Sequence, residues 1–264
     1  MSERHPAAIS FQDVSKSYGG GRKALDRVSL DVAEREFLAV VGPSGSGKTT
    51  LLRLINRLAE ADSGAVRVEG EDVRAADPIV LRRRIGYVFQ GIGLFPHMTV
   101  AQNIAITPKL LGWGETRIAA RVDELIELVR LERAAHRDRL PAQLSGGERQ
   151  RVGVARAIAA GPKIVLMDEP FGALDPLTRD ALSEDYRRLH DKLGLTTVMI
   201  THDTLEAVLL ADRIAVIREG RMIAQGTPRQ MLSAEQDEYV RKLMATPQRQ
   251  AGRLQALLDE RGGA

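Results

Sequence analysis

The chain has no cysteine, few aromatic residues and no long apolar run. The absence of cysteine excludes disulfides and cysteine-ligated metal sites, and it is consistent with a reducing compartment. An aromatic content of 4% argues against an extended surface that stacks the bases of single-stranded nucleic acid. No apolar run reaches the ~20 residues that a membrane-spanning helix needs, and residues 1–6 lack the apolar core of a signal peptide. If this protein serves a membrane, we expect it to do so from outside the lipid.

The charge of the chain is close to balanced. The formal net charge of +3 is too small to indicate a polyanion partner, so we expect no nucleic-acid partner. The basic triplet at residues 82–84 is better explained as the solvated face of a helix. With 264 residues and 44% hydrophobic content, the chain can form one large α/β domain or two small ones.

The strongest motif is a glycine-rich loop between a strand and a helix. Residues 37–41 form a continuous apolar run that predicts a strand buried on both faces. Apolar residues at helical spacing predict a helix over residues 49–58. The loop and the start of the helix comprise Gly42, Pro43, Ser44, Gly45, Ser46, Gly47, Lys48, Thr49 and Thr50. In this context the backbone N–H groups cradle a nucleotide's phosphates, Lys48 reaches the β- and γ-oxygens, and the Thr49 hydroxyl ligates Mg²⁺.

A second part of a phosphoryl-transfer site follows another buried strand. Residues 164–167 are apolar, and Asp168 and Glu169 come directly after them. A carboxylate at this end of a strand lies where open α/β sheets bind ligands. Asp168 is suited to hold Mg²⁺, directly or through water, and Glu169 to orient or deprotonate the attacking water. The alternative is that the pair caps a helix, but the strand and the phosphate loop upstream favour the catalytic interpretation.

A second glycine-bearing loop opens a second helix at residues 144–150, Leu-Ser-Gly-Gly-Glu-Arg-Gln. Backbone N–H groups at such a helix start form another anion site. One nucleotide does not need two such sites from the same chain. The motif therefore predicts that two chains face each other and share their nucleotides.

The rest of the pattern places these motifs in an α/β order. Alternating residues predict antiparallel strands near 9–14 and 24–32, whereas residues 85–89 and 196–200 read as further strands. Residues 99–137 look mainly helical and interrupt the alternation, with an apolar stripe comprising Ile118, Val122, Leu125, Ile126 and Val129. Residues 177–193 predict a helix, and residues 212–218 and 221–224 a hairpin turned at Glu219-Gly220. From residue 233 onward the chain reads as helical, with Tyr239, Val240, Leu243 and Met244 as its apolar face.

From about residue 9 to residue 231 the chain resembles the ATPase subunit of an ABC transporter. Five elements besides the phosphate loop and the Asp168-Glu169 pair carry the resemblance. They are Tyr18, like the aromatic residue that stacks on adenine; Gln90, like the glutamine that touches Mg²⁺ and the attacking water; residues 144–150, like the family signature; residues 173–175, like the loop that crosses the dimer interface; and His202, like the histidine that senses the γ-phosphate.

The resemblance implies an α/β P-loop NTPase fold of RecA type: a parallel-sheet core, an antiparallel β layer and an inserted α-helical subdomain. It implies an ATP-binding domain at residues 8–232, with the helical subdomain at about 91–160, and a short helical tail at 233–264. It also implies ATP and Mg²⁺ as cofactors. Glu169, His202, Gln90 and Lys48 would be catalytic, and Thr49, Gln90 and Asp168 would hold the metal. Tyr18, the loop residues 42–50, and Ser145, Gly146, Gly147 and Asp175 would contact nucleotide.

The same resemblance implies the partners. Two identical subunits would face head to tail, with a permease bound near residues 90–113 and a substrate-binding protein in the full complex. The protein would then be cytoplasmic and peripheral to the inner face of the cell membrane. A soluble ABC protein of repair or translation is disfavoured, because the chain has neither a long coiled-coil or zinc insertion nor a second ATPase unit. A nucleotide switch without turnover is disfavoured by the presence of both Glu169 and His202.

The cargo is harder to predict, because the ATPase does not touch it. Residues 90–104, Gln-Gly-Ile-Gly-Leu-Phe-Pro-His-Met-Thr-Val-Ala-Gln-Asn-Ile, resemble those of osmoprotectant importers for glycine betaine, choline or related quaternary amines. Gly91 departs from that pattern, since those relatives often have glutamine there, and another small solute is the alternative. About thirty residues follow Met231, too few for the paired regulatory domain of many such relatives or for the regulatory barrel of the maltose type, so we expect neither.

Overall fold

The computed structural model describes residues 7–233, 237–246 and 249, with the side chain of residue 22 left aside. The strands are β1 (Ala7–Tyr18), β2 (Arg22–Ala33), β3 (Phe37–Val41), β4 (Ser63–Val68), β5 (Glu71–Asp72), β6 (Ile85–Val88), β7 (Ile164–Asp168), β8 (Thr196–Ile200), β9 (Arg213–Arg218) and β10 (Arg221–Gly226). The helices are α1 (Lys48–Ile55), α2 (Pro78–Arg84), α3 (Val100–Leu110), α4 (Glu115–Leu128), α5 (Arg133–His136), α6 (Gly146–Ile158), α7 (Pro176–Leu193), α8 (Thr204–Leu210), α9 (Pro228–Met231) and α10 (Glu238–Met244).

The central sheet has six strands in the order β10-β9-β3-β8-β7-β6. Strands β6, β7, β8, β3 and β9 run parallel to their neighbours, and β10 pairs antiparallel with β9. Every residue of β3, β7 and β8 is buried, which explains their apolar sequences, since both faces of the sheet are covered. The parallel core that the sequence predicts is confirmed, as is the β9–β10 hairpin.

A second, antiparallel sheet lies over one face of the core in the order β2-β1-β4-β5. Apolar residues of β1 and β2 meet in pairs such as Phe11–Leu30 and Val14–Val28. Helix α1 packs between this layer and the central sheet through Leu51, Leu52 and Ile55. The predicted antiparallel layer is confirmed, although both strands extend beyond the predicted ranges.

The two faces of the central sheet have separate cores because successive side chains of a strand point in opposite directions. On β3, Leu38 and Val40 pack toward α1 and the antiparallel layer, whereas Phe37, Ala39 and Val41 pack toward the helices on the other face. Strand β3 therefore ties both layers together, and the loop that follows it starts from a rigid base.

Four helices, α3 to α6, lie between β6 and β7 in the chain and form the predicted helical insertion. The apolar stripe of α4 is buried as predicted and packs against residues of α3 and α6. Helix α3 begins with a capping box, in which the Thr99 hydroxyl accepts from the Gln102 N–H and the Gln102 side chain accepts from the Thr99 N–H. The predicted helical stretch is broken by turns at residues 111–112 and 129–130.

Some predicted boundaries were wrong. Helix α1 ends at Ile55 rather than at residue 58, because Arg57 has a left-handed backbone with φ 52°. The predicted strand at residues 85–89 ends at Val88, one residue earlier. In the tail, α10 buries Val240 and Met244 as predicted, while the expected helix from residue 250 onward lies outside the described residues.

The division of the chain into a domain at 8–232 and a tail at 233–264 stays a prediction. Within the described part of the chain, no helix combines the length and the hydropathy that crossing a membrane requires.

Candidate nucleotide-binding site

The phosphate loop joins β3 to α1 at the edge of the sheet where the parallel strands end. Gly47 stands at the N-cap of α1 with φ 107°, a left-handed conformation that favours glycine. A Cβ at this position would collide with the backbone carbonyl oxygen of Ala24. The loop is thus pressed against the antiparallel layer, and its shape directs the first N–H groups of α1 outward as an anion site.

Lys48 is held by the loop itself. Its Nζ donates to the carbonyl oxygens of Gly42 at 2.7 Å and Pro43 at 2.9 Å. Burial lowers the pKa of the ammonium group, while the nearby carboxylates of Glu169 and Asp168 oppose that shift. A phosphate oxygen would supply the negative partner that this buried cation lacks at close range.

Asp168 ends β7 and is buried. Its Oδ1 lies 3.4 Å from the Thr49 hydroxyl, which donates to it. Burial raises the pKa of this carboxyl, and the neighbouring Glu169 adds to the rise. A hydroxyl and a carboxylate facing each other provide the oxygen ligands that Mg²⁺ prefers. The pair fits a divalent cation, whose charge would stabilise the ionised form of Asp168.

Glu169 contacts Gln90 and His202, two residues that the sequence predicted separately from it. It has a left-handed backbone, φ 46°, and its N–H donates to the Ile200 carbonyl at 2.9 Å, which fixes it beside the end of β8. Its Oε2 accepts from Gln90 Nε2 at 3.1 Å and lies 3.5 Å from His202 Nδ1. The amide and the imidazole both contact the oxygen that a general base would use.

A cavity of about 540 Å³ opens over these residues. Its lining comprises Tyr18, Gly19, Ala24, Ser44, Gly45, Gly47, Lys48, Thr49, Thr50, Gln90 and Glu169. Tyr18 stands there with its ring 45% exposed, as expected of a residue that stacks on a flat ligand. Gly19 and Ala24 were not predicted. The sequence signal that could have indicated them is the glycine turn at 19–21, which connects β1 to β2 beside the phosphate loop.

The second glycine motif lies on a different surface. Ser145, Gly146, Gly147 and Asp175 are not among the residues that line the cavity. Ser145 caps α6 in a capping box with Glu148, and Gly147 packs so closely on α7 that a Cβ there would lie 2.5 Å from Thr178 Cγ2. Asp175 caps α7, its Oδ1 accepting from the Thr178 N–H at 3.0 Å. The chain does not bring its two glycine motifs to one cavity.

Arg179 and Glu206 lie beside the turn that follows β8, and no local sequence pattern indicates a role for either. Arg179 Nη2 donates to the Leu174 carbonyl at 3.1 Å, and its Nη1 lies 3.5 Å from Asp203 Oδ2. It thereby ties the loop before α7 to the residue after His202. Glu206 is buried under the same turn, and burial raises the pKa of its carboxyl to about 7.

A second groove, of about 310 Å³, lies between the central sheet and the helical insertion. Phe89 and Phe95 line it with rings 45% and 43% exposed. Asn103 is fully buried and fixes the loop beside it, donating to the carbonyls of Phe95, Met98 and Thr99 and accepting from the Phe95 N–H.

Arg156, near the end of α6, reaches the same groove. Its Nη1 and Nη2 donate to the carbonyls of Gly93 and Ile92 at 2.6 and 2.8 Å. Burial lowers the pKa of this guanidinium. Arg82 and Arg83 also line the groove, so aromatic and arginine side chains occur in it together. The loop that Arg156 holds follows directly after Gln90.

Comparisons with known proteins agree with this geometry. The family model described as ABC transporter matches residues 25–172, more than half of the chain. The glycine betaine/carnitine/choline transport ATP-binding protein OpuCA of Bacillus subtilis is 49% identical over 89% of this chain. The chain spans 62% of that protein's length.

Two further relatives are named for different solutes. The glycine betaine uptake system ATP-binding protein YehX of Escherichia coli is 50% identical over 89% of this chain and 75% of its own length. The sulfate/thiosulfate import ATP-binding protein CysA of Caulobacter vibrioides is 47% identical over 88% of this chain and 68% of its own length.

Among solved structures, the dimeric bacterial ABC transporter cassette MJ0796 superposes with a TM-score of 0.75 and 34% identity. The superposition covers 84% of this chain and 99% of the other. The α/β fold with its antiparallel layer and helical insertion is thus that of an ATP-binding cassette.

Proposed function

The chain belongs to the ABC transporter family of ATP-binding proteins, and from this premise we propose that it is the ATP-hydrolysing subunit of an ABC importer. The contact of Glu169 with Gln90 and His202 is the observation that carries the proposal, because a carboxylate held by an amide and an imidazole is suited to activate a water. In this proposal residues 8–232 form the ATP-binding domain, with a helical subdomain at about 91–160, and residues 233–264 form a C-terminal tail.

Bound ATP with Mg²⁺ supplies the transferable phosphoryl group and part of the charge that balances it. The loop N–H groups and Lys48 hold the phosphates, and Tyr18 stacks on the base. Thr49, Asp168 and Gln90 hold the metal. Glu169 accepts the proton of the attacking water at its carboxylate, while Gln90 and His202 fix that carboxylate, and His202 also contacts the γ-phosphate.

A second copy of the chain completes each site. The support is that Ser145, Gly146, Gly147 and Asp175 lie outside the cavity although their helix starts are built to meet an anion or a facing surface. The structural relative is itself described as dimeric. Head-to-tail pairing would bring one subunit's signature to the other's nucleotide.

The substitution Glu169→Gln tests the hydrolytic assignment. It removes the proton acceptor but keeps the shape of the side chain, so hydrolysis should fall by about 10²–10⁴-fold while ATP binding persists. The variant should therefore accumulate as an ATP-bound dimer, measurable by size-exclusion chromatography and phosphate release. Wild-type rates in this variant would contradict the role of Glu169.

The groove lined by Phe89 and Phe95 is the surface we assign to the permease. Part of its lining lies in the stretch 90–113 or directly before it, and Arg156 and Asn103 fix the loop at its rim. An amphipathic permease helix fits such a groove, since its apolar side chains would cover the exposed rings. The ATPase would then lie against the inner face of the cell membrane, with a substrate-binding protein completing the importer.

We propose an osmoprotectant such as glycine betaine, choline or another quaternary amine as the cargo. The support is the resemblance of residues 90–104 and the printed substrates of two relatives, OpuCA and YehX. The sulfate/thiosulfate relative makes another small solute the second candidate.

Transport assays with the reconstituted partner system would separate the two candidates. The solutes to compare are glycine betaine, choline, carnitine, amino acids and sulfate, with Glu169→Gln as the inactive control. Uptake of sulfate or amino acids without any quaternary amine would remove the osmoprotectant proposal and leave the ATPase proposal intact.

A further inference from the structure

His136 lies between two hydrogen-bond acceptors. Its Nδ1 is 2.8 Å from the backbone carbonyl oxygen of Glu132, and its Nε2 is 2.9 Å from Oε1 of Glu148. A carbonyl and a carboxylate can only accept, and a neutral imidazole has a single N–H. Both contacts are satisfied together only when both ring nitrogens carry a proton. Both ring nitrogens of His136 thus face an acceptor, an arrangement that a doubly protonated ring satisfies in full.

The same carboxylate reaches the signature serine through its other oxygen. Glu148 Oε2 accepts from the Ser145 N–H at 2.7 Å, and the Ser145 hydroxyl oxygen accepts from the Glu148 N–H at 3.2 Å. Because Ser145 uses its oxygen as an acceptor within the cap, its hydroxyl proton is left to donate outward. His136, Glu148 and Ser145 thus form one chain of hydrogen bonds that ends at the start of α6.

The charge of Glu148 has two opposing effects at this place. A carboxylate in the first turn stabilises the helix through the macrodipole and the cap. The same charge would repel a triphosphate brought to Ser145 by a facing subunit. An imidazolium 2.9 Å from the carboxylate offsets that repulsion and leaves the capping bonds in place.

We propose that His136 in its protonated form is a positioning residue for the signature: it orients and neutralises Glu148, so that Ser145 and the first N–H groups of α6 face the partner's ATP as a net attractive site. The inference rests on the proposed function, since it assumes that the nucleotide is shared between two subunits. It adds a dependence on pH, because loss of the imidazolium proton exposes the charge of Glu148.

Several charged groups near His136 form ion pairs of their own. On its own segment Arg133 and Arg137 pair with Asp123 of α4 at 3.2 and 2.9 Å, and Arg137 is also 3.4 Å from Asp138. From α6, Glu148 is the charged group that contacts the ring within the described residues. Arg133→Gln therefore removes one positive charge from the same short helix without touching the chain to Ser145, and it serves as the matched control.

The test compares His136→Gln, Glu148→Gln, the double variant and Arg133→Gln. ATP-dependent dimerisation is measured in the Glu169→Gln background, and hydrolysis in the otherwise wild-type chain, from about pH 5 to about pH 8, the range over which histidines lose their proton. Thermal unfolding of each variant confirms that it is folded.

At about pH 6, His136→Gln should raise the ATP concentration for half-maximal dimerisation by about tenfold, the loss expected of one charge-assisted hydrogen bond. The parent should approach the behaviour of His136→Gln as pH rises, whereas Glu148→Gln should lack this pH dependence because glutamine keeps the cap without the charge. The double variant should match Glu148→Gln, and Arg133→Gln should match the parent.

Two results would overturn the inference. One is a pH profile of His136→Gln identical to that of the parent. The other is a double variant that is weaker than Glu148→Gln by the full effect of His136→Gln, since the two residues would then act independently. Failure of the parent itself to hydrolyse ATP or to dimerise would instead overturn the proposed function, and the inference with it.

Discussion

The phosphate loop and the signature both place glycines at the start of a helix, but they are built in different ways. At Gly47 the backbone is left-handed and lies against the carbonyl of Ala24, so the loop's shape is imposed by main-chain atoms. Ser145 has an ordinary extended backbone, and a Cβ added at Gly147 would meet the side chain of Thr178, with its methyl group nearest. The phosphate loop lines a cavity within its own chain. The signature is an ordinary helix start, and its proposed function depends on the surface of the subunit that faces it.

Two carboxyl groups, one beside the turn after His202 and one at the signature, differ as well. Under that turn, burial raises the pKa of Glu206 to about 7. At the signature, the hydrogen bonds from His136 and from the Ser145 backbone lower the pKa of Glu148 to about 2. Glu206 therefore resists ionisation, whereas Glu148 ionises readily because hydrogen bonds stabilise its carboxylate.

The largest expected effect is on hydrolysis, and it tests whether the two regions serve different ATP molecules. Lys48→Ala removes the cation of one half-site, and Ser145→Arg blocks the other. Each variant alone should lose about 10²-fold or more of its activity, since charge-stabilising contacts to the transferred group are worth this much. A mixture should recover part of it, because a mixed dimer assembles one intact site from the unmodified Lys48 of one chain and the unmodified Ser145 of the other.

Phosphate release from the mixture, with each variant alone as control, is the measurement. Absence of any recovery from mixed dimers that are shown to form would weigh against the shared site.

A smaller effect, on stability, separates the two glycines. Gly47→Ala should cost about 3 kcal/mol or more, because the backbone conformation is unfavourable and the colliding atom belongs to the main chain. Gly147→Ala should cost about 1–3 kcal/mol from overpacking against Thr178. Only the second cost should be relieved by Thr178→Ser, which removes the obstructing Cγ2 and keeps the hydroxyl.

Urea unfolding of the single and double variants measures these differences, with Thr178→Ser alone as the reference. Equal relief of both alanine variants by Thr178→Ser would show that the two glycines are constrained in the same way.

The smallest effect is the pH dependence of stability, and it should have opposite signs at Glu206 and at Glu148. The folded pKa of Glu206 lies above its ordinary value of 4.5, so folded protein keeps a proton that the unfolded chain releases. Its contribution is therefore lost as pH rises from about 4.5 to about 7. Glu206→Gln should be more stable than the wild type above that window, by about 1–3 kcal/mol.

Glu148 behaves in the reverse way. Its folded pKa lies below 4.5, so its stabilising contribution is present above that pH and lost as pH falls toward 2. Glu148→Gln should be less stable than the wild type at neutral pH, with the difference closing in acid. Unfolding curves measured across the pH range check both variants, and equal signs for the two would contradict the described environments.

The sequence predicts the phosphate loop and the central strands well because their signals are local. A continuous apolar run ending in glycine needs no knowledge of the rest of the chain, and β3 and β7 lie where such runs predict them. The meeting of Gln90, Glu169 and His202 depends on the order of β6, β7 and β8 in the sheet, which local pattern does not give. Resemblance to the family supplied those residues instead.

Other features have no local signal at all. Arg57, just after α1, has a backbone conformation that favours glycine, and an arginine in the sequence does not predict this conformation. The contact of His136 with Glu148 joins two segments of the helical insertion through a loop whose path only the fold determines. Side chains that act through long-range contacts are therefore the part of the site that sequence reasoning missed.

Helix α6 connects the signature at its start to the loop at residues 92 and 93 near its end. It runs for 13 residues from the Ser145 cap, so at 1.5 Å per residue it is about 20 Å long. Arg156 in its last turn donates hydrogen bonds to the backbone carbonyls of residues 92 and 93. A hydrogen-bonded cylinder of this length is stiff, so its two ends cannot move independently. We therefore expect a displacement imposed at Ser145 to be transmitted along the helix to the loop at residues 92 and 93, and a displacement of that loop to reach the serine in the same way.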